Sequence, residues 1–104
     1  MSWTIVALFN LQPDKHPRQY EQWALERDVP TGLTLTSVVS FRVLRSTGLL
    51  GQAVAAPYQY VELVEIDDFD LFTEELKSQA MQQVAREFSH WASEPVFIVT
   101  QPLA

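Results

Sequence analysis

The strands of this sequence carry more apolar surface than its helices can cover. Trp3 to Leu11 reads as a strand with Trp3, Ile5, Ala7, Phe9 and Leu11 on one face and Val6 and Leu8 on the other. Ser37 to Arg45 reads as a second, in which Val39, Phe41 and Val43 alternate with Val38, Ser40, Arg42 and Leu44. A third runs from Tyr58 to Ile66, with Tyr58, Tyr60, Glu62 and Val64 against Val61 and Leu63. Pro95 to Gln101 gives a fourth, Phe97 and Val99 opposing Val96 and Ile98. Strands that are apolar on both faces need cover on both faces.

Only two regions have helical character. Pro17 suits a first helical position, and Tyr20, Trp23, Ala24 and Arg27 follow at helical spacing. Pro30 and Gly32 break that pattern, so the spacing predicts a helix over 17–27 and a turn or short helical piece from Asp28 to Leu35. Gly48 to Pro57 is a loop rich in small residues. Asp67-Asp68 offers an N-cap to a second helical region from about Phe69 to Ala92, interrupted near Lys77-Ser78. Within it Met81, Val84, Phe88 and Trp91 form one apolar stripe.

The order β-α-β-β-α-β specifies an α+β, ferredoxin-like domain: a four-stranded antiparallel sheet with both helical regions on one face. The other face then needs a partner, and a second copy docked sheet to sheet supplies it. The expectation is a homodimer forming a dimeric α/β barrel. A cavity left between the two sheets, lined by aromatic and a few polar groups, is the expected ligand site.

At 104 residues the chain is read as one domain spanning 1–104, and its 47% apolar content is ample for a core. A net charge of −6 without a basic cluster argues against nucleic acid. The absence of cysteine excludes disulfides and thiolate chemistry and fits a cytoplasmic location. Met1-Ser2-Trp3-Thr4 has no signal-peptide character, and no apolar run reaches the roughly 18 residues of a membrane span.

Glu62 is the most informative polar residue. A carboxylate in mid-strand between Val61 and Leu63 must be paired or held neutral. A raised pKa would suit a general acid or base, and a cross-strand ion pair with Arg42 is the structural alternative. Asp28 is read either as a cap of the following turn or as a second catalytic carboxylate at the pocket mouth, near Trp23. Arg42 and Ser40 are candidates to hold a carbonyl or anionic group of a ligand. Tyr58 and Tyr60 share the Glu62 face and are candidates to stack on a flat ligand; Trp23 is a weaker candidate, since it also fits core packing. His16 reads as a solvated turn residue and His90 as a helix-end residue. Neither has partners at metal-binding spacing, and no phosphate loop or nucleophile elbow is present, so neither metal nor cofactor is expected.

Tyr20-Glu21-Gln22-Trp23 through Asp28-Val29-Pro30, then Leu35 to Val43 and Tyr60-Val61-Glu62-Leu63-Val64-Glu65-Ile66, form a layout that resembles the dimeric α/β-barrel superfamily. Within it the chain is most similar to the RedY-like, HapK-like proteins of prodigiosin-type pigment clusters. Monooxygenase and EthD-like relatives often carry His where this chain has Asp28, which argues against His-dependent chemistry here. The resemblance implies secondary metabolism on a pyrrole or indole intermediate, by cyclisation or condensation, without a cofactor. A non-catalytic carrier of an apolar intermediate and a cofactor-free monooxygenase are the alternatives.

Overall fold

A computed structural model describes residues 2–104; Met1, part of the segment read as carrying no targeting signal, lies outside them. The elements run β1 (Trp3–Leu11), α1 (Pro17–Trp23), a π-helical turn (Ala24–Asp28), α2 (Val29–Leu33), β2 (Val38–Arg45), β3 (Tyr60–Ile66), α3 (Phe69–Glu75), α4 (Gln79–Trp91) and β4 (Ala92–Thr100). The strands form one antiparallel sheet in the order β2-β3-β1-β4, the ferredoxin-like arrangement that the element order specifies.

The first helical region continues past its expected end. Val29 N–H bonds the Ala24 carbonyl, five residues back, which opens the helix by one residue just before Pro30. Proline has no N–H and its ring crowds the carbonyl four residues earlier, so a widened turn lets the helix pass through it. The turn also has a packing consequence. Tyr20, Ala24, Asp28 and Gly32 are all buried at four-residue intervals. In a regular α-helix that spacing drifts by about 40° per step, and the wider turn takes up part of the drift. One face thus delivers both Tyr20 and Asp28 to the sheet.

The second helical region breaks where its sequence predicts. Asp68 caps α3 by accepting from Leu71 N–H at 3.0 Å, and Ser78 caps α4 by accepting from Met81 N–H at 3.3 Å. Glu75, ending α3, accepts from the backbone N–H of Thr36 at 2.7 Å and of Ser37 at 3.0 Å, and from the Ser37 hydroxyl at 2.6 Å. This ties the end of α3 to the entry of β2.

The core lies between the helices and one face of the sheet. At one end Phe9, Tyr20, Tyr60 and Phe88 pack ring to ring, with centroids 4.7 Å apart for Tyr20–Tyr60 and 5.0 Å for Phe9–Phe88. Such spacings are those of attractive aromatic pairs. Trp23 and Trp91 pack against this block from the helices. Gly32 lets α2 approach β2: a Cβ there would lie 2.6 Å from the Phe41 ring. The opposite face of the sheet has no cover among the described residues. Val6, Leu8, Val61 and Leu63 are half-buried there, and Val96 and Ile98 are each 42% exposed.

Candidate functional site

The site begins with register. Ala7 stands opposite Glu62 on one side, and Val43 stands opposite it on the other. Directly opposed residues share a face, so Glu62 points toward the helices, in the middle of the sheet. There it meets the face of the first helical region that carries Tyr20 and Asp28.

Glu62 and Asp28 are each 6% exposed. The Tyr20 hydroxyl donates to Glu62 Oε1 at 3.4 Å. The Glu62 carboxyl also meets that of Asp28, and a hydrogen bond between two carboxyl groups requires a proton, because carboxylates offer only acceptors. Without that proton Asp28 Oδ2 has no partner among the described residues. Burial, then the neighbouring Asp28 charge, push Glu62 up to about 9. Burial pushes Asp28 up to about 6, while the hydrogen bond from Glu62 holds it down. Near neutral pH the two therefore share one proton, held mainly on Glu62. Burial and the adjoining Glu62 raise the Tyr20 phenol far above its ordinary value, so it stays a donor.

Both carboxyls open on a cavity of about 440 Å³ between the sheet and the helices. Phe41, Val64 and Phe97 of the sheet wall it, together with Phe72, Met81 and Phe88 from α3 and α4. Phe97 and Val99, at 57% and 54% exposed on the edge strand, mark its open side.

This hollow is intramolecular and lies under the helices, on the side of the sheet away from the face expected to pair with a second copy. The remaining candidates stand elsewhere. Arg42 pairs in register with Leu63, and Ser40 with Glu65, so both lie on the uncovered face. Arg42 is therefore not the counter-ion of Glu62, and the Ser40 hydroxyl donates to Glu65 at 3.4 Å. The physical reason is the two-residue period of a strand: facing Val43, Glu62 cannot also face its neighbour Arg42. A register shift between Val38 and Ser40 further separates Val38, which lines the cavity, from Ser40. Tyr60 belongs to the aromatic block and donates its hydroxyl to Glu21 at 2.7 Å, beside the Arg45–Glu21 ion pair. Tyr58 precedes β3, which starts at Tyr60, and lines a shallow groove with Arg45 and Pro17. Trp23 donates its indole N–H to Glu87 at 2.8 Å and lies outside the cavity. His16 caps α1, its Nδ1 accepting from Arg18 N–H at 3.1 Å.

Tyr20 is the neighbour of the carboxyl pair that sequence reasoning missed. Its four-residue spacing to Ala24 and Asp28 was the available signal, obscured by ending the helix at Arg27.

The family model described as REDY-like protein HapK matches residues 3–103. The chain belongs to the REDY-like HapK family. HapK from Hahella chejuensis is 28% identical, with a TM-score of 0.77 over 98% of this chain and 93% of that one. A dimeric ferredoxin-like protein of unknown function from Thermobifida fusca is 16% identical, with a TM-score of 0.79 over 98% and 92%. SnoaB, a cofactor-independent oxygenase from Streptomyces nogalater, is 16% identical, with a TM-score of 0.79 over 99% and 94%. At such identity the last two are similar in fold alone. Among curated proteins the sequence has no match.

Proposed function

We propose that this REDY-like chain is a cofactor-independent enzyme of secondary metabolism that performs acid–base chemistry on a flat heteroaromatic intermediate in the cavity. The observation that carries the reading is the buried Glu62–Asp28 pair, both members of which line an apolar hollow. A proton-sharing carboxyl pair holds an acid and a base ready together. In the addition step of a cyclisation or condensation Glu62 gives its proton to a carbonyl oxygen while Asp28 takes one from the ring nitrogen or carbon that forms the new bond; in a condensation a second proton delivered to the resulting hydroxyl lets it leave as water. Transfer between the two then restores the starting state. The family resemblance supports a prodigiosin-type pyrrole or indole intermediate as the substrate. As proposed, the step asks for no group beyond these side chains.

Glu62→Gln and Asp28→Asn test it: each is expected to lower turnover of a pyrrole–aldehyde condensation by about a hundredfold or more while the fold survives. Full turnover in both variants refutes the assignment. The almost wholly apolar lining favours a second reading, a carrier that shields such an intermediate. Tight binding without turnover, weakened by Phe72→Ala more than by either carboxyl variant, distinguishes it. Oxygen consumption on a quinol substrate would instead mark a monooxygenase.

The working unit in this reading is a cytoplasmic homodimer. Val6, Leu8, Val61, Leu63, Val96 and Ile98 form an apolar sheet face wide enough to need cover. The dimeric ferredoxin-like neighbours support pairing through it. Among the described residues no helix is long and apolar enough to cross a membrane. Sedimentation at micromolar concentration is expected to give a dimer, and Val61→Lys to give a monomer.

A further inference from the structure

The wall of the cavity is charged with one sign only. It holds Asp28 and Glu62 and no lysine, arginine or histidine. The neighbouring cations are engaged or directed elsewhere: Arg45 pairs with Glu21, Arg27 with Glu87, Lys77 with Glu74, and Arg42 stands on the far face of the sheet. The one other hydroxyl in the wall among the described residues, that of Thr73, donates to the Asp70 carbonyl at 2.8 Å. Among the described residues Asp28 is bonded only through the proton it shares with Glu62. A buried carboxylate with so few donors is costly, and a ligand that brings a further donor lowers the cost.

We propose that the cavity selects flat ligands bearing a cationic or N–H-donating nitrogen, of amidine or amino-heteroaromatic type, that bonds the Asp28 carboxylate, and that it rejects carboxylates and phosphates of the same shape. This rests on reading the cavity as the ligand site. An anion would enter a water-poor space holding a net negative pair and no counter-ion, which both desolvation and repulsion oppose. A cation arriving there finds its counter-ion in place. The aromatic walls, Phe41, Phe72, Phe88 and Phe97, accept a planar ring and attract a cation over their faces. Selectivity should also depend on pH. The titratable groups facing Asp28 are Glu62 from β3 and Tyr20 from α1; α3 and α4 present no titratable side chain to the cavity. As pH falls below about 6, Asp28 takes up its own proton and its hold on a cation weakens.

Three probes of one shape test this by titration calorimetry on the whole chain: 2-naphthamidine, 2-naphthamide and 2-naphthoate. The expected order of affinity is amidine, amide, naphthoate, with about tenfold or more between first and last at pH 7.5. Asp28→Asn is expected to erase that spread, and lowering the pH to 5 to narrow it. Should Asp28→Asn not fold, the pH series on the unaltered protein carries the same test. Naphthoate binding as tightly as the amidine overturns the charge selectivity and leaves the cavity a ligand site. Failure of all three to bind overturns both.

Discussion

The layer between helices and sheet is filled at one end and hollow at the other. At the filled end Phe9, Tyr20, Tyr60 and Phe88 interlock, and the outer polar atoms are closed off by Glu21 with Arg45 and by Glu87 with Arg27 and Trp23. At the hollow end the side chains are equally apolar, yet Phe41, Val64, Phe72 and Met81 stand around about 440 Å³ of space. Glu62, Asp28 and Tyr20 mark the boundary. Their position teaches how the chain tolerates buried acid: the rigid aromatic block fixes Tyr20, Tyr20 fixes Glu62, and the hollow leaves Asp28 facing whatever enters.

The largest expected effect breaks the filled end. Phe9→Ala removes a ring buried to 0% exposure that touches Tyr20, Tyr60 and Phe88. It is expected to cost about 3–5 kcal/mol, read from urea unfolding. A loss under about 1 kcal/mol would mean that this end is not close-packed.

Next comes the boundary itself. Both carboxyls bind protons more tightly in the folded chain than in the unfolded one, where Asp and Glu titrate near 3.8 and 4.5. Folding therefore takes up protons between those values and about 6 and 9, and stability falls as pH rises through that window. The full contribution is present below about pH 4 and gone by about pH 9. Glu62→Gln should flatten most of this slope and leave the chain more stable than the unaltered protein at pH 8.5. Chemical denaturation across pH checks it, and a slope unchanged in the variant refutes the buried pair.

The hollow end gives a smaller effect. Gly32→Ala would set a Cβ 2.6 Å from the Phe41 ring, on a wall of the cavity. The expected cost is about 1–3 kcal/mol, lower if Phe41 swings into the hollow, which would then reduce probe binding. The smallest effect lies on the other face. Arg42→Ala should change stability by no more than about 0.5 kcal/mol and leave probe affinity untouched. A large loss of affinity there would show that the two faces are not independent.

The elements were legible because their signals are local. Alternation gave the strands to within two or three residues, and Asp68 announces its helix by ordinary capping. The site was legible in part for the same reason: Glu62 is conspicuous as an acid in an apolar strand, and Asp28 as one beside a helix-breaking proline. Arg42 was misplaced because sequence shows the period of a strand but not which partner residue each position faces. Tyr20 was missed because Pro30 reads as a stop, whereas packing against the sheet let the helix run on through a π-helical turn.

By itself the sequence determined the α+β order, the single sheet and the excess of apolar surface, since each follows from composition and period along the chain. Only the tertiary structure decided that Asp28 and Glu62 meet, that the Tyr20 hydroxyl bonds Glu62, and that this hollow lies under the helices. Those depend on register and on the volumes that meet across the layer, and residues thirty and forty positions apart set both.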